Sequence, residues 1–191
     1  MRTNDMEQEY DFSKGIRGKY LQPARAIFEE IRNRPYAWSS QIDKPANNCY
    51  FKGIELLQRL GALGYAVRGR VGETFLDTVI PEEIRLLYPT EFQLTHFWVE
   101  VLLNDIWHTL DASYDPGLAS AGFNVNEWDS NRTCFEITKT YTQEEAIAYH
   151  DVWSDPEYAR SYFKAVGPCA MALNEWYESL RKIDHKSAKK F

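Results

Sequence analysis

Apolar residues recur along the chain with two different periods. In PARAIFEEIRN, Ile27, Phe28 and Ile31 fall on one face, which predicts a helix opened by Pro23 and ended by Pro35. An aromatic-containing loop, YAWSSQIDKPANN, follows. The helical pattern resumes in CYFKGIELLQRLGALG, where Phe51, Ile54, Leu57 and Leu60 mark the core face of a second helix. It starts near Cys49 and stops at Gly61 or Gly64. The period then switches to two. YAVRGRV sets Val67, Gly69 and Val71 against Arg68 and Arg70, as in a half-buried strand. LTHFWVEVLL and IWHTLDASY predict two strands joined at Asn104–Asp105, TCFEITKTY a further one, and PEEIRLLYP a short helix or turn. The C-terminal third is helical again. It carries capping boxes TQEE at Thr142 and SDPE at Ser154, and a last helix, CAMALNEWYESLRK, after Gly167–Pro168. The plan is α+β: an antiparallel sheet flanked by helices.

The two central strands carry an unusual polarity. With Asn104 and Asp105 at the tip of a tight turn, Glu100 pairs with Thr109, and the same register continued sets Trp98 opposite Asp111 and His96 opposite Ser113. Alternation gathers Phe97, Val99, Val101, Leu103, Leu110 and Ala112 on one face, which reads as core. The other face holds His96, Trp98, Glu100, Thr109 and Asp111. His96 and Asp111 are diagonal neighbours there, with Cβ atoms roughly 5.5–7 Å apart, within reach of an imidazole–carboxylate hydrogen bond. A carboxylate on one ring nitrogen fixes the tautomer of the imidazole and stabilises its protonated form.

Such a pair serves a nucleophile, and Cys49 is the best-placed one. With Asn48 as cap, Cys49 takes the first position of its helix, where unpaired backbone N–H groups and the helix dipole favour a thiolate. Its own N–H can face a developing oxyanion, with Gln41 or Trp38 as a second donor. Read singly, each residue has a plain alternative: Cys49 a small buried residue, His96 a structural histidine, Asp111 a turn cap. Trp98 is either a cleft wall or core. Tyr36, Trp38, Tyr50 and Phe51 either line a cleft or pack.

The chain of 191 residues has room for one domain with a full core, here residues 21–191 with a helical C-terminal extension behind a polar lead-in at 1–20. The formal net charge of −6 argues against a nucleic-acid partner, since phosphate binding needs a basic face. No apolar run approaches membrane-spanning length, and the polar start, MRTNDMEQEYDFSKG, has no apolar signal region. Three cysteines without C-x-x-C spacing read as reduced thiols of a cytoplasmic protein, and neither a zinc motif nor another cofactor signature is present.

A cysteine opening a helix, then a histidine on a strand, then an aspartate on the next strand resembles the transglutaminase-like cysteine-peptidase superfamily. NCYFKGIELLQRLGALGYAVRGRV is similar to its cysteine helix and following strand, THFWVEVLL to its H-x-W-x-E strand, and IWHTLDASYD to its W-x-x-x-D strand. The resemblance covers about residues 38–115. It implies a papain/transglutaminase-like core in which Cys49 is the nucleophile, His96 the general base and acid, and Asp111 the orienting carboxylate. It also implies a thioester formed from a peptide or amide substrate. The chain departs from particular branches: NNC stands where animal transglutaminases have Gly-Gln before the cysteine, and the Arg-Gly-Gly of arylamine N-acetyltransferases is missing, as is the C-x-x-C pair of peptide N-glycanases. Two other functions fit the same text: a non-catalytic interaction module of this fold, and, from the resemblance of YDFSKGIRGKY (Tyr10–Tyr20) to small bacterial antitoxin-type proteins, a regulatory partner of another protein.

Overall fold

The computed structural model describes residues 17–41 and 46–187. Residues 1–16 of the polar lead-in, and with them most of the Tyr10–Tyr20 stretch, therefore lie outside the described residues, whereas residues 17–20 of that lead-in are already helical. Helices and strands are mixed, and the sheet has four antiparallel strands in the order β3-β2-β1-β4. Helix α1 spans Arg17–Arg32 and α2 Cys49–Ala62; strand β1 spans Val67–Glu73, the short α3 Glu82–Arg85, β2 Thr95–Leu103 and β3 Ile106–Leu110. A 3-10 turn at Pro116–Ala121 leads to β4 (Lys139–Thr140), α4 (Gln143–Trp153) and α5 (Pro156–Ser187).

The central hairpin has the register that its turn dictates. Asn104 and Asp105 both take positive φ, 51° and 63°, the double left-handed turn whose twist matches the strands it joins. Leu103 pairs with Ile106, Glu100 with Thr109 and Val99 with Leu110. Phe97, Val99, Val101, Leu110 and Ala112 are buried together with Leu56 and Leu60 of α2 and Phe28 and Ile31 of α1. A second core forms on the far side, where Tyr36, Tyr114, Phe135 and Tyr177 meet beneath α5.

Two glycines set the distance between α2 and the sheet. The Phe97 ring lies between Gly53 of α2 and Gly69 of β1: a Cβ on Gly53 would come within 2.6 Å of Phe97 Cε1, and one on Gly69 within 2.6 Å of Cζ. Only backbone fits on either side of that ring.

Several sequence expectations are corrected. Pro23 lies inside α1 instead of opening it, and α5 runs through Pro168 without a break at Gly167. Both prolines are exposed, so their rings sit on the solvent side of their helices. The buried face of α2 is Lys52, Gly53, Leu56 and Leu60, while Phe51 is exposed. Asp155, not Ser154, caps α5, its carboxylate accepting from the Glu157 N–H at 2.8 Å. The capping box at Thr142 is present as read. Of TCFEITKTY only Lys139–Thr140 is strand, because the backbone of the earlier residues is turned inward and spent elsewhere.

Candidate active site

Asn48 takes extended backbone angles and its side-chain oxygen accepts the Phe51 N–H at 3.0 Å, so it caps α2. Cys49 is then the first helical residue, with an N–H that no intrahelical carbonyl reaches. It is partly exposed, whereas Cys134 and Cys169 are buried; all three are free thiols. The loop before it is fixed from several sides. Ser39 Oγ accepts from Asn48 Nδ2 at 3.3 Å and from the Ala46 N–H at 3.1 Å. Asn174 of α5 takes the Trp38 N–H at 2.8 Å and donates to the Trp38 carbonyl at 2.9 Å. Asp115, paired with Arg181 at 2.7 Å, takes the Tyr36 N–H at 2.8 Å.

His96 and Asp111 are brought together as the hairpin register requires. His96 Nε2 and Asp111 Oδ2 are 2.6 Å apart, and both side chains are 1% exposed. Asp111 is held on all sides by donors. Its Oδ1 accepts the Ser113 N–H at 3.1 Å and the Ser113 hydroxyl at 2.5 Å, and its Oδ2 accepts the Cys134 N–H at 2.7 Å. Burial works against a charge here, but the His96 imidazolium, the Cys134 N–H and the Ser113 hydroxyl outweigh it and hold the Asp111 carboxyl below its usual range. Burial likewise opposes the charge on His96. The Asp111 carboxylate, with a smaller contribution from Cys49, overcomes it and raises the imidazole from 6.5 to about 10. The ring thus keeps its proton across the neutral range.

With Nε2 committed to Asp111, Nδ1 is the free ring nitrogen; it is buried and without a hydrogen-bond partner. His96 and Cys49 line the same cavity, of about 310 Å³, and Cys49 is close enough to the ring to contribute to its raised value. Trp38 lines this cavity too, and its indole N–H is a second buried donor without a partner. Buried donors are seldom left unpaired, and two in one cavity mark a place where a ligand atom can sit. The remaining walls are mostly aromatic, with Ser39, Asn48, Val71, Leu94 and Thr95 between the rings. Tyr36, Tyr50 and Phe51 do line it, joined by Tyr149 and Trp153 from α4 and Tyr162 and Phe163 from α5. Among the described residues no three His, Cys, Asp or Glu side chains gather as a metal-ligand set.

Two candidates fall away. Gln41 is exposed and does not line the cavity; the Ser40 carbonyl before it faces Gly167 of α5. Trp98 is buried at 5% exposure, stacks 6.0 Å from the His96 ring, and also lies outside the cavity. It is one strand repeat further along the same face and packs beside Gly72, where a Cβ would come within 3.2 Å of its ring. Glu100 belongs to an ion pair with Arg68 at 2.6 Å.

Three contributors were not foreseen. Lys52 is buried and its amine donates to the Ser113 carbonyl at 2.8 Å and the Arg32 carbonyl at 3.1 Å, tying the cysteine helix to the segment that follows Asp111. Cys134 supplies a backbone donor to Asp111, and Phe135 sets its ring 4.2 Å from that of His96. A lysine in a helix reads as solvated, and nothing in TCFEITKTY distinguishes a strand from a segment turned onto a carboxylate. The alignment of Ser113 with His96 was the one available pointer.

No helix among the described residues is long and apolar enough to cross a membrane. Comparison of the chain with protein-family models, with curated proteins and with solved structures finds no match in any of the three.

Proposed function

We propose that this protein is a thiol-dependent hydrolase or acyltransferase of the transglutaminase-like type, with Cys49, His96 and Asp111 as its triad. One observation carries the reading: Cys49 at a capped helix start shares a cavity with a histidine whose far nitrogen is locked onto a buried carboxylate and whose near nitrogen is unpaired. The Cys49 thiolate attacks the carbonyl carbon of an amide or ester, forming a C–S bond. The carbonyl electrons move onto oxygen, where the Cys49 N–H and the Trp38 indole N–H meet the charge. Collapse expels the amine or alcohol, which takes its proton from His96 Nδ1. The thioester is then attacked by water or an amine, whose proton returns to His96 as the thiolate leaves. Because His96 holds its proton at neutral pH, its first act is as an acid toward the leaving group.

The test is the rate at which iodoacetamide alkylates each cysteine, mapped by peptide mass spectrometry. Cys49 in the wild type should react at least about tenfold faster than in His96→Gln, with near-UV circular dichroism confirming that the variant is folded. Equal rates would remove the imidazole from any activating role. They would favour the interaction-module reading, in which a Cys49→Ala protein keeps its biological effect.

A further inference from the structure

The aromatic cavity beside Cys49 has an occupant written into its walls. Tyr50, Phe135, Tyr149, Trp153, Tyr162 and Phe163 line it from α2, the segment before β4, α4 and α5. Among the described residues no Asp, Glu, Lys or Arg lines it, and of its two histidines His96 is paired with Asp111 and His150 is exposed to water. The hydroxyls of Tyr149 and Tyr162 stay neutral, since burial pushes both upward. One polar contact crosses it near the catalytic strand, between Thr95 Oγ1 and Tyr149 Oη at 2.6 Å. At about 310 Å³ the space is at the lower end for a small-molecule site, enough for one compact group and not for a folded chain.

We infer that the acyl group this site accepts is uncharged and carries an aromatic ring, such as the acyl side of a peptide bond at Phe, Tyr or Trp. The inference rests on the reading of Cys49 as nucleophile and names its substrate class. Ring faces and edges around a bound ring give offset or edge-on contacts beyond simple burial. The His96 imidazolium is already paired with the Asp111 carboxylate at 2.6 Å, so a carboxylate on the acyl group would be desolvated without a free counter-charge from it.

The experiment compares p-nitrophenyl esters of 3-phenylpropanoic, acetic and succinic acids. It reads nitrophenolate release and the mass of the acylated protein, with Cys49→Ala subtracted as background. Acylation is balanced: the C–S bond to Cys49 forms, the C–O bond to nitrophenolate breaks, and nitrophenolate leaves with that electron pair. The phenylpropanoyl ester should acylate Cys49 about ten- to a hundredfold faster, per unit concentration, than the acetyl or succinyl ester. Acylation of Cys49 at similar rates by all three, or faster by the succinyl ester, overturns the inference and leaves the nucleophile standing. If no ester acylates Cys49, the catalytic reading falls, and binding decides the rest. Quenching of tryptophan fluorescence in Cys49→Ala by 3-phenylpropanamide but not by succinamate then upholds the cavity's preference; quenching by both alike, or by neither, overturns it.

Discussion

Replacing Asp111 with Asn tests the electrostatics of the site most directly. All four groups around the carboxylate are donors: the Ser113 N–H and hydroxyl on Oδ1, the Cys134 N–H and His96 Nε2 on Oδ2. An amide has a single acceptor oxygen, so either orientation sets its NH₂ against a backbone N–H. The charge that keeps the buried ring protonated is also gone. The imidazole's rise from 6.5 to about 10 corresponds to a net preference for the charged ring on the order of 5 kcal/mol. Breaking a buried pair from one side costs about 3–5 kcal/mol. The pH dependence has a definite sign. A histidine raised on folding stabilises fully below its unfolded value and loses that stabilisation as pH rises toward about 10. A carboxylate lowered on folding stabilises above 3.8 and loses it as pH falls below. The advantage of wild type over Asp111→Asn is therefore greatest between about pH 4 and 6.5, and most of it is gone near pH 10. Urea unfolding of both proteins at pH 6 and 9.5, followed by circular dichroism, measures it, and other titrating groups cancel in the difference. A gap under about 1 kcal/mol at pH 6, or one that does not narrow at pH 9.5, would refute the ion-paired description.

Gly53→Ala should destabilise by about 1–3 kcal/mol despite the roughly 1 kcal/mol that alanine gains over glycine in a helix, since the new Cβ meets the Phe97 ring. Phe97→Leu in the same background should recover part of the loss in urea unfolding, and a Gly53→Ala protein more stable than wild type would contradict the wedge. Lys52→Met should show the opposite pH trend to Asp111→Asn. Burial pushes the Lys52 amine from 10.5 down to about 7, so the wild type loses stability relative to the methionine variant as pH falls from about 10.5 to 7, by a few kcal/mol, and is flat below. A gap independent of pH between 7 and 10 would show that the amine is not desolvated as the structure has it.

Much of the fold was legible because its strongest signals are local. The Asn104–Asp105 turn fixes a register, and a register fixes which side chains share a face; that alone brought His96 to Asp111. The Asn48 cap was readable for the same reason. What was hidden depends on contacts distant in sequence. Lys52 is buried by two carbonyls, one 20 residues before it and one 61 after, and periodicity assigns such a residue to water. The segment at Cys134 and Phe135 gave up strand pairing for Asp111, a trade invisible until the aspartate is in place. Pro23 and Pro168 both lie inside long helices on exposed positions, where the packing of the flanking residues holds the helix across them. Trp98 had the right face but the wrong height along the strand.

Helix α4 has no buried residue, yet it gives the cavity Tyr149 and Trp153. The nucleophile helix and the His96 strand are joined by a tightly filled core, so the two halves of the site differ in how much free energy it takes to open them. Under mild denaturant or warming, the walls would come apart while the triad was still assembled. A ligand bound in the cavity adds its binding energy to the closed form of α4 and slows that opening, so amide exchange in α4 becomes a gauge of occupancy that needs no turnover.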